Sequence, residues 1–199
     1  MIRNLVSSMF CFLLLNNVES QENKTMESEI LQSYMISIQD FNKKTEFYKN
    51  TEVIVFDNTD EDLIEYYLKS WKITKADTLI NRADSTDINS PYILNKKLKK
   101  ILIKELKKDE PIDWNNVQFP DNFRLVEYKK APILENLKLS KRKISLLLSK
   151  PVIFQNGTMA IFRAWEIYGS NISGTPTLQF YKKKDSKWVK FSEIAWGSF

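Results

Sequence analysis

The last quarter of the chain, residues 149–199, places the strongest constraint on the fold. Turn residues there separate short apolar and aromatic runs, which is the rhythm of an antiparallel sheet. A run that ends at Phe154 is followed by Asn156-Gly157, a pair that accepts the positive φ of a tight hairpin turn. The strands that follow are predicted at 158–168, 176–181 and 188–196, with 182–186 as the last connection. We therefore expect a meander of three or four antiparallel strands.

The strand 158–168 is predicted to lie in the centre of this sheet. Side chains alternate between the two faces of a strand, and here both sets are largely apolar. One face carries Met159, Ile161, Trp165 and Ile167, and the other carries Ala160, Phe162, Ala164 and Tyr168. A strand that is apolar on both faces is typical of a position covered on both sides.

The first twenty residues have the pattern of a bacterial signal peptide. Arg3 supplies positive charge, 5–15 is an apolar run, and 18–20 has small residues at the positions that a signal peptidase reads. We expect cleavage after Ser20 and export by a bacterium, to the periplasm or the medium, of a mature chain that begins at Gln21. The apolar run is shorter than the ~20 residues of a membrane span, so no stable membrane insertion is expected after cleavage.

The absence of histidine narrows the possible chemistry. The single cysteine, Cys11, lies inside the predicted signal peptide. Ser-His-Asp and Cys-His nucleophiles, disulfides, and zinc or haem sites built on histidine or thiolate are therefore excluded. We predict no cofactor and no metal, and a function that uses carboxylates, hydroxyls, amides, lysines, arginines or aromatic surface.

The first half of the chain predicts an early strand, a short helical pattern through Ile64, Tyr67, Leu68 and Trp71, and two longer amphipathic helices. Apolar residues recur every three or four positions over 27–47, and 52–56 is an apolar strand. Ser90 and Pro91 suit the N-cap and first turn of a second helix that reaches Lys108. The stripe of the first helix comprises Ile30, Leu31, Tyr34, Met35, Ile38 and Phe41. Together these elements predict an α+β fold, with N-terminal helices packed on a C-terminal antiparallel β-meander, in a single domain that covers residues 21–199.

The second helix carries seven lysines and could bind an anionic membrane surface or nucleic acid. Arginine and interleaved aromatic residues are missing from it, and Glu105, Asp109 and Glu110 offset part of its charge. Lysine is also the common charged residue of the whole chain. We therefore expect a solvated lysine face and no nucleic-acid partner.

Several features of the terminal stretch occur together in one group of proteins. They are Ser149-Lys150-Pro151 before a strand, the Asn-Gly turn, a strand that ends in Tyr168, a loop closed by Gly174, and Lys187-Trp188 leading to Trp196. Over this last quarter the chain resembles a group of uncharacterised secreted bacterial proteins with a C-terminal antiparallel sheet. The resemblance implies an exported α+β protein and supplies no activity. Members of the group often carry two cysteines in the glycine loop, which this chain lacks, so no thiol role carries over.

The Lys187-Trp188 pair at the start of the last strand gives a second likeness. It is similar to the cystatin-like cone of nuclear transport factor 2 type folds, in which helices precede a curved sheet. That resemblance implies a small-ligand pocket between the sheet and the helices.

The sequence favours a non-catalytic binding or interaction module, whose partner is a protein, a glycan or a small molecule. Aromatic side chains often anchor interfaces and sugar-binding platforms, and the terminal sheet is rich in them. The residues predicted to bind are Arg163, Trp165, Glu166, Tyr168 and Trp188.

The alternative is a small-ligand-binding protein or a histidine-free acid–base enzyme that uses Glu166. Glu166 and Arg163 are the charged residues inside an otherwise apolar strand, and they project to opposite faces. Apolar surroundings raise the pKa of a carboxyl and suit it to proton transfer. This hypothesis requires Glu166 to point into a pocket with a second polar group, such as Tyr168 on the same face.

Overall fold

The computed structural model describes most of the chain. The described residues are 2–57, 68, 71, 77–79, 91–108, 110–127, 143–168, 174 and 176–195, and side chains are considered from residue 21 onward. The helices are α1 (Ile2–Lys44) and α2 (Lys96–Leu106), with single 3-10 turns at Glu46–Tyr48 and Trp114–Asn116. The strands are β1 (Glu52–Phe56), β2 (Asp77–Leu79), β3 (Tyr92–Leu94), β4 (Phe123–Val126), β5 (Lys143–Leu148), β6 (Val152–Phe154), β7 (Met159–Tyr168), β8 (Thr177–Lys184) and β9 (Lys187–Ala195).

Seven of these strands form one mixed sheet in the order β4-β1-β5-β7-β8-β9, with β6 also paired to β7. Strands β4, β1 and β5 run parallel to one another. Strands β5, β6 and β8 pair antiparallel with β7, and β9 pairs antiparallel with β8. β5 and β6 lie end to end along one side of β7, and β2 and β3 form a separate two-stranded antiparallel sheet. The predicted α+β class is confirmed. The sheet extends beyond the predicted meander, because β1 and β4 from earlier in the chain join it in parallel.

Helix α1 covers one face of the sheet. Its predicted stripe is buried from Ile30 to Ile38 and packs on β1, β5, β7 and β8, but Phe41 is 54% exposed. The helix also includes residues 21–26, where Met26 is buried beside the turn at Gly157. It passes Ser20 without a break, and the cleavage there stays a prediction. Among the described residues, no helix combines the length and the apolar content of a membrane span.

Helix α2 and the β2-β3 pair cover the opposite face, where their apolar residues meet those of β7, β8 and β9. The helix begins at Lys96 rather than near Pro91, because residues 92–94 pair with β2 instead. Its N-cap is Asn95, whose side chain accepts a hydrogen bond from the N–H of Leu98 at 2.9 Å. The sequence placed a helix start at a serine and proline that in fact precede a strand.

One lysine of α2 departs from the predicted solvated face. Lys99 is only 1% exposed, and its ammonium lies 4.9 Å from the centre of the Trp71 ring. Ile101, in contrast, is 49% exposed. The apolar face of the helix is therefore rotated, so that a lysine stem lies inside and an isoleucine lies outside.

The terminal meander forms as predicted, with one change in its last turn. Positive φ angles of 52°, 52° and 79° occur at Gln155, Asn156 and Gly157. β8 continues to Lys184, so that the last turn consists of Asp185 and Ser186 alone, with φ angles of 49° and 63°. The lysines predicted to form a connection belong to the strand.

Strand β7 is central, with apolar layers on both faces. Ala160, Phe162 and Ala164 contact the core under α1, whereas Met159 and Ile161 contact the core under α2. This placement fixes the side of the sheet to which every charged residue of β7 points.

Candidate functional site

Glu166 lies in a polar cluster under α1. The Tyr34 hydroxyl donates a hydrogen bond to Glu166 Oε1 at 2.7 Å, and the Tyr168 hydroxyl donates one to Oε2. Tyr34 comes from α1 and is buried, and its ring packs edge-on against Phe162 at 5.3 Å between centroids. Both carboxylate oxygens are thus engaged by side chains of the protein itself.

The tyrosines of this cluster are held in their neutral form. Burial, followed by the charge of Glu166, raises the pKa of Tyr34 and of Tyr168 well above the ordinary value for tyrosine. Burial likewise raises the pKa of Tyr181, which lies under the same helix. Neutral hydroxyls donate to a carboxylate, so Tyr34 ties α1 to the centre of the sheet by one charge-assisted hydrogen bond, and Tyr168 adds a second within β7.

The other residues predicted to bind do not join Glu166 in one place. Trp188 is buried in the core under α1, at 4% exposure. Arg163 and Trp165 project to the opposite face of β7, where Trp165 packs beside Ile54 and Phe56. The structure brings Glu166 and Tyr168 together and divides the remaining predicted residues between the two faces of the sheet.

A glycine positions the end of β7 near this cluster. The Trp165 Nε1–H donates to the carbonyl of Gly174 at 3.2 Å. A Cβ at Gly174 would lie 1.8 Å from the carbonyl oxygen of Glu166, so a side chain there requires the backbone to move. The glycine that closes the loop is therefore needed for a close approach to β7.

A second candidate site lies at the edge of the sheet beside β6. A half-open cleft of about 800 Å3, which we call the β6 groove, separates residues 22–27 in the middle of α1 from the C-terminal end of α2. Its floor is β6 and residues 149–151, which precede it. Its carboxylates are Glu22 and Glu27 on the α1 side and Glu105 and Glu110 on the α2 side. Its ammonium groups belong to Lys150 and Lys183.

The groove lies where the edge of the sheet is interrupted between β5 and β6, at Lys150-Pro151. Proline has no N–H to give to a ladder, and the residues between β5 and β6 include one more than β7 offers opposite them. Ser149 spans the break, since its N–H donates to the Arg163 carbonyl and its hydroxyl accepts from the Arg163 N–H. β1 pairs with β4 and β5 and does not reach β6, so β6 has no strand on its outer side among the described residues.

Lys150 crosses one end of the groove. Its ammonium lies 3.0 Å from Glu110 and 3.5 Å from Glu27, so it joins the segment after α2 to α1. Burial raises the pKa of the Glu27 carboxyl, which Lys150 offsets only in part. Burial opposes the charge of Lys150, but the hydrogen bond to Glu110 and the charge of Glu27 raise its pKa overall. This end of the groove is closed by a partly buried ionic bridge.

The sequence did not indicate this site. Glu27, Glu110 and Lys150 each resemble ordinary surface charges, and they are far apart in the chain. The available signal was Lys150-Pro151 between two apolar runs, which marks a break in an edge strand.

Metal binding and relationships to known proteins add no further identification. Within the described ranges, no group of three or more histidine, cysteine, aspartate or glutamate side chains is placed to hold a metal ion. Comparison with protein families, with characterised proteins and with solved structures finds no match for this chain.

Proposed function

We propose that this protein is a bacterial exported binding module that takes its ligand in the β6 groove. The observation that carries the proposal is the cleft of about 800 Å3, which has the size of protein ligand sites and is lined by both apolar and charged groups. The apolar part comes from Val152, Ile153 and Phe154, which are all only partly buried. A protein, a glycan or a small molecule would find both contact surface and charged anchors there.

Acid–base catalysis at Glu166 is the weaker hypothesis, although Tyr168 does lie beside it as that hypothesis requires. Both oxygens of Glu166 accept hydrogen bonds from tyrosines, and one of these, Tyr34, is in the buried stripe of α1. A substrate would have to displace a tyrosine to reach the carboxylate. In the β6 groove a ligand has open space beside the charged groups.

A site-specific fluorescence assay tests the proposal. One protein carries an environment-sensitive dye at Asn156→Cys, in the groove, and a second carries the same dye at Lys100→Cys, on the exposed side of α2. Both are full chains with Cys11→Ser, so that each has a single cysteine to label. A panel of peptides, oligosaccharides and small metabolites is then titrated. We expect at least one class to change the emission of the groove dye in a saturable way and to leave the control dye unchanged. A panel in which no compound distinguishes the two dyes would contradict the proposal.

A further inference from the structure

We infer that the ligand of the β6 groove is an extended basic peptide segment, which adds to β6 as an extra strand. The inference rests on the proposed function of the groove and specifies its ligand. It follows from three properties of the groove: the direction of the free backbone groups of β6, the layers that flank them, and the sign of the charges around them.

The backbone N–H and C=O of Ile153 point outward from the edge of the sheet. The Lys183 N–H donates to the Thr158 carbonyl, so the backbone N–H and C=O of even-numbered residues along β7 point toward β8. The Ser149 N–H donates to the Arg163 carbonyl, so the backbone groups of odd-numbered residues point toward β5 and β6. Ile153 is opposite Ala160, an even-numbered residue. Because hydrogen-bonded and non-hydrogen-bonded pairs alternate in an antiparallel ladder, the N–H and C=O of Ile153 face away from β7. They are one donor and one acceptor ready for a further strand.

The groove leaves room for such a strand between two helical layers. Ile153 packs toward the core under α1, whereas Val152 and Phe154 pack toward the core under α2. The free edge of β6 therefore lies between the two layers, in the cleft. A strand added there would place alternate side chains against α1 and against α2. Edge addition of this kind is a common mode of peptide recognition, in which main-chain hydrogen bonds supply affinity and side-chain pockets supply specificity.

The charges select a basic peptide. The groove carries four carboxylates and two ammonium groups, although the whole chain has a formal net charge of +5. Lys150 already engages Glu27 and Glu110 at one end. Glu22 forms no ion pair within the described part of the chain, and Glu105 pairs only with the exposed Lys108. Lysine or arginine side chains of an added strand would meet these two carboxylates, one on each wall.

The test uses a defined peptide and the full chain. The probe is a fluorescein-labelled peptide of seven residues, in which pairs of lysines alternate with pairs of valines so that lysines project to both faces of an extended strand. Its binding is followed by fluorescence anisotropy. Two versions carry methyl groups on backbone nitrogens, one version at every odd-numbered residue and the other at every even-numbered residue. An added strand bonds to β6 through one of these two sets, so we expect one version to bind at least tenfold more weakly and the other to bind like the parent. Because the methyl groups are on the peptide, this readout does not depend on how a protein variant folds.

Protein variants test the charge. The double variant Glu22→Gln/Glu105→Gln should weaken binding of the parent peptide roughly fivefold, as expected for two exposed ion pairs. The matched control Glu46→Gln/Asp121→Asn removes the same charge away from the groove and should bind like the unaltered protein. A glutamate–valine peptide should bind much more weakly than the lysine–valine peptide.

Two kinds of failure are distinguishable. Equal binding of the two methylated peptides would overturn strand addition. Binding of the acidic peptide as tight as that of the lysine–valine peptide would overturn basic selectivity. If the lysine–valine peptide fails to bind while the dye at Asn156→Cys responds to another class of compound, this inference is wrong and the proposed function remains. If the dye responds to no compound, both are wrong.

Discussion

The cluster around Glu166 and the β6 groove contain similar chemistry in opposite arrangements. In the cluster, a carboxylate lies beneath a helix and both of its oxygens accept hydrogen bonds from tyrosines. In the groove, Lys150 bridges two carboxylates at one end, and Glu22 and the edge of β6 face open space. Charged groups that are satisfied inside a protein hold elements together, whereas charged groups beside a cavity are available to a ligand. The difference supports our proposal that the first region contributes to stability and that the second binds a ligand.

Removing one hydroxyl from the closed region should have the largest effect. Tyr34→Phe leaves Glu166 Oε1 without its donor in a partly buried setting, and we expect a loss of about 2 kcal/mol in the free energy of unfolding. Urea denaturation measures the change. The control is Tyr92→Phe, which removes an exposed hydroxyl that accepts from Gln155 and should cost less than about 0.5 kcal/mol. Equal losses in the two variants would contradict a structural role for the cluster.

Removing the ionic bridge of the open region should have a smaller effect. Lys150→Met leaves Glu27, whose side chain is 15% exposed, without its cation, and we expect a loss of about 1 kcal/mol. Lys190→Met is the matched control, because Lys190 pairs at 2.6 Å with a single carboxylate, Glu193, of 32% exposure. Its loss should be about 0.3 kcal/mol. If Lys150→Met costs no more than the control in urea denaturation, the bridge does not hold α1 to the segment after α2.

The two carboxylates of the bridge should respond to pH in opposite directions. Burial raises the pKa of Glu27 above 4.5, so its native form binds the proton more tightly than the unfolded chain. The stability contribution of Glu27 is then present at low pH and is lost as pH rises through the raised pKa. The hydrogen bond and charge of Lys150 lower the pKa of Glu110, so its contribution is present above 4.5 and is lost as pH falls through the lowered pKa.

Urea denaturation of Glu27→Gln and Glu110→Gln between pH 3 and pH 7 measures this difference. Relative to the unaltered protein, Glu27→Gln should gain stability as pH rises, whereas Glu110→Gln should lose it, each by a few tenths of a kcal/mol. If the change in stability relative to the unaltered protein depends on pH in the same way in both variants, the pKa values of the two carboxylates are not shifted in opposite directions.

The regions also differ in how much of them could be predicted. Glu166 and Tyr168 are two residues apart on one strand, so alternation alone placed them on one face. Tyr34, the other partner of Glu166, is 132 residues away and could be placed only as part of a core stripe. The β6 groove depends on α1, α2 and the β5-β6 break meeting at one edge, and no local pattern contains that information.

By itself the sequence determined the local features. Alternating apolar residues specified β7 as a central strand, Asn156-Gly157 specified a turn with positive φ, and the absence of histidine excluded several kinds of catalysis. These depend on the side-chain period and on the backbone freedom of a few neighbouring residues. Tertiary structure alone decided that β1 and β4 join the sheet in parallel, that Lys99 lies inside, and that Glu27, Glu110 and Lys150 meet. Such contacts join residues distant in the chain. Their free energy depends on burial and on short distances between charges, and both arise only when the layers pack.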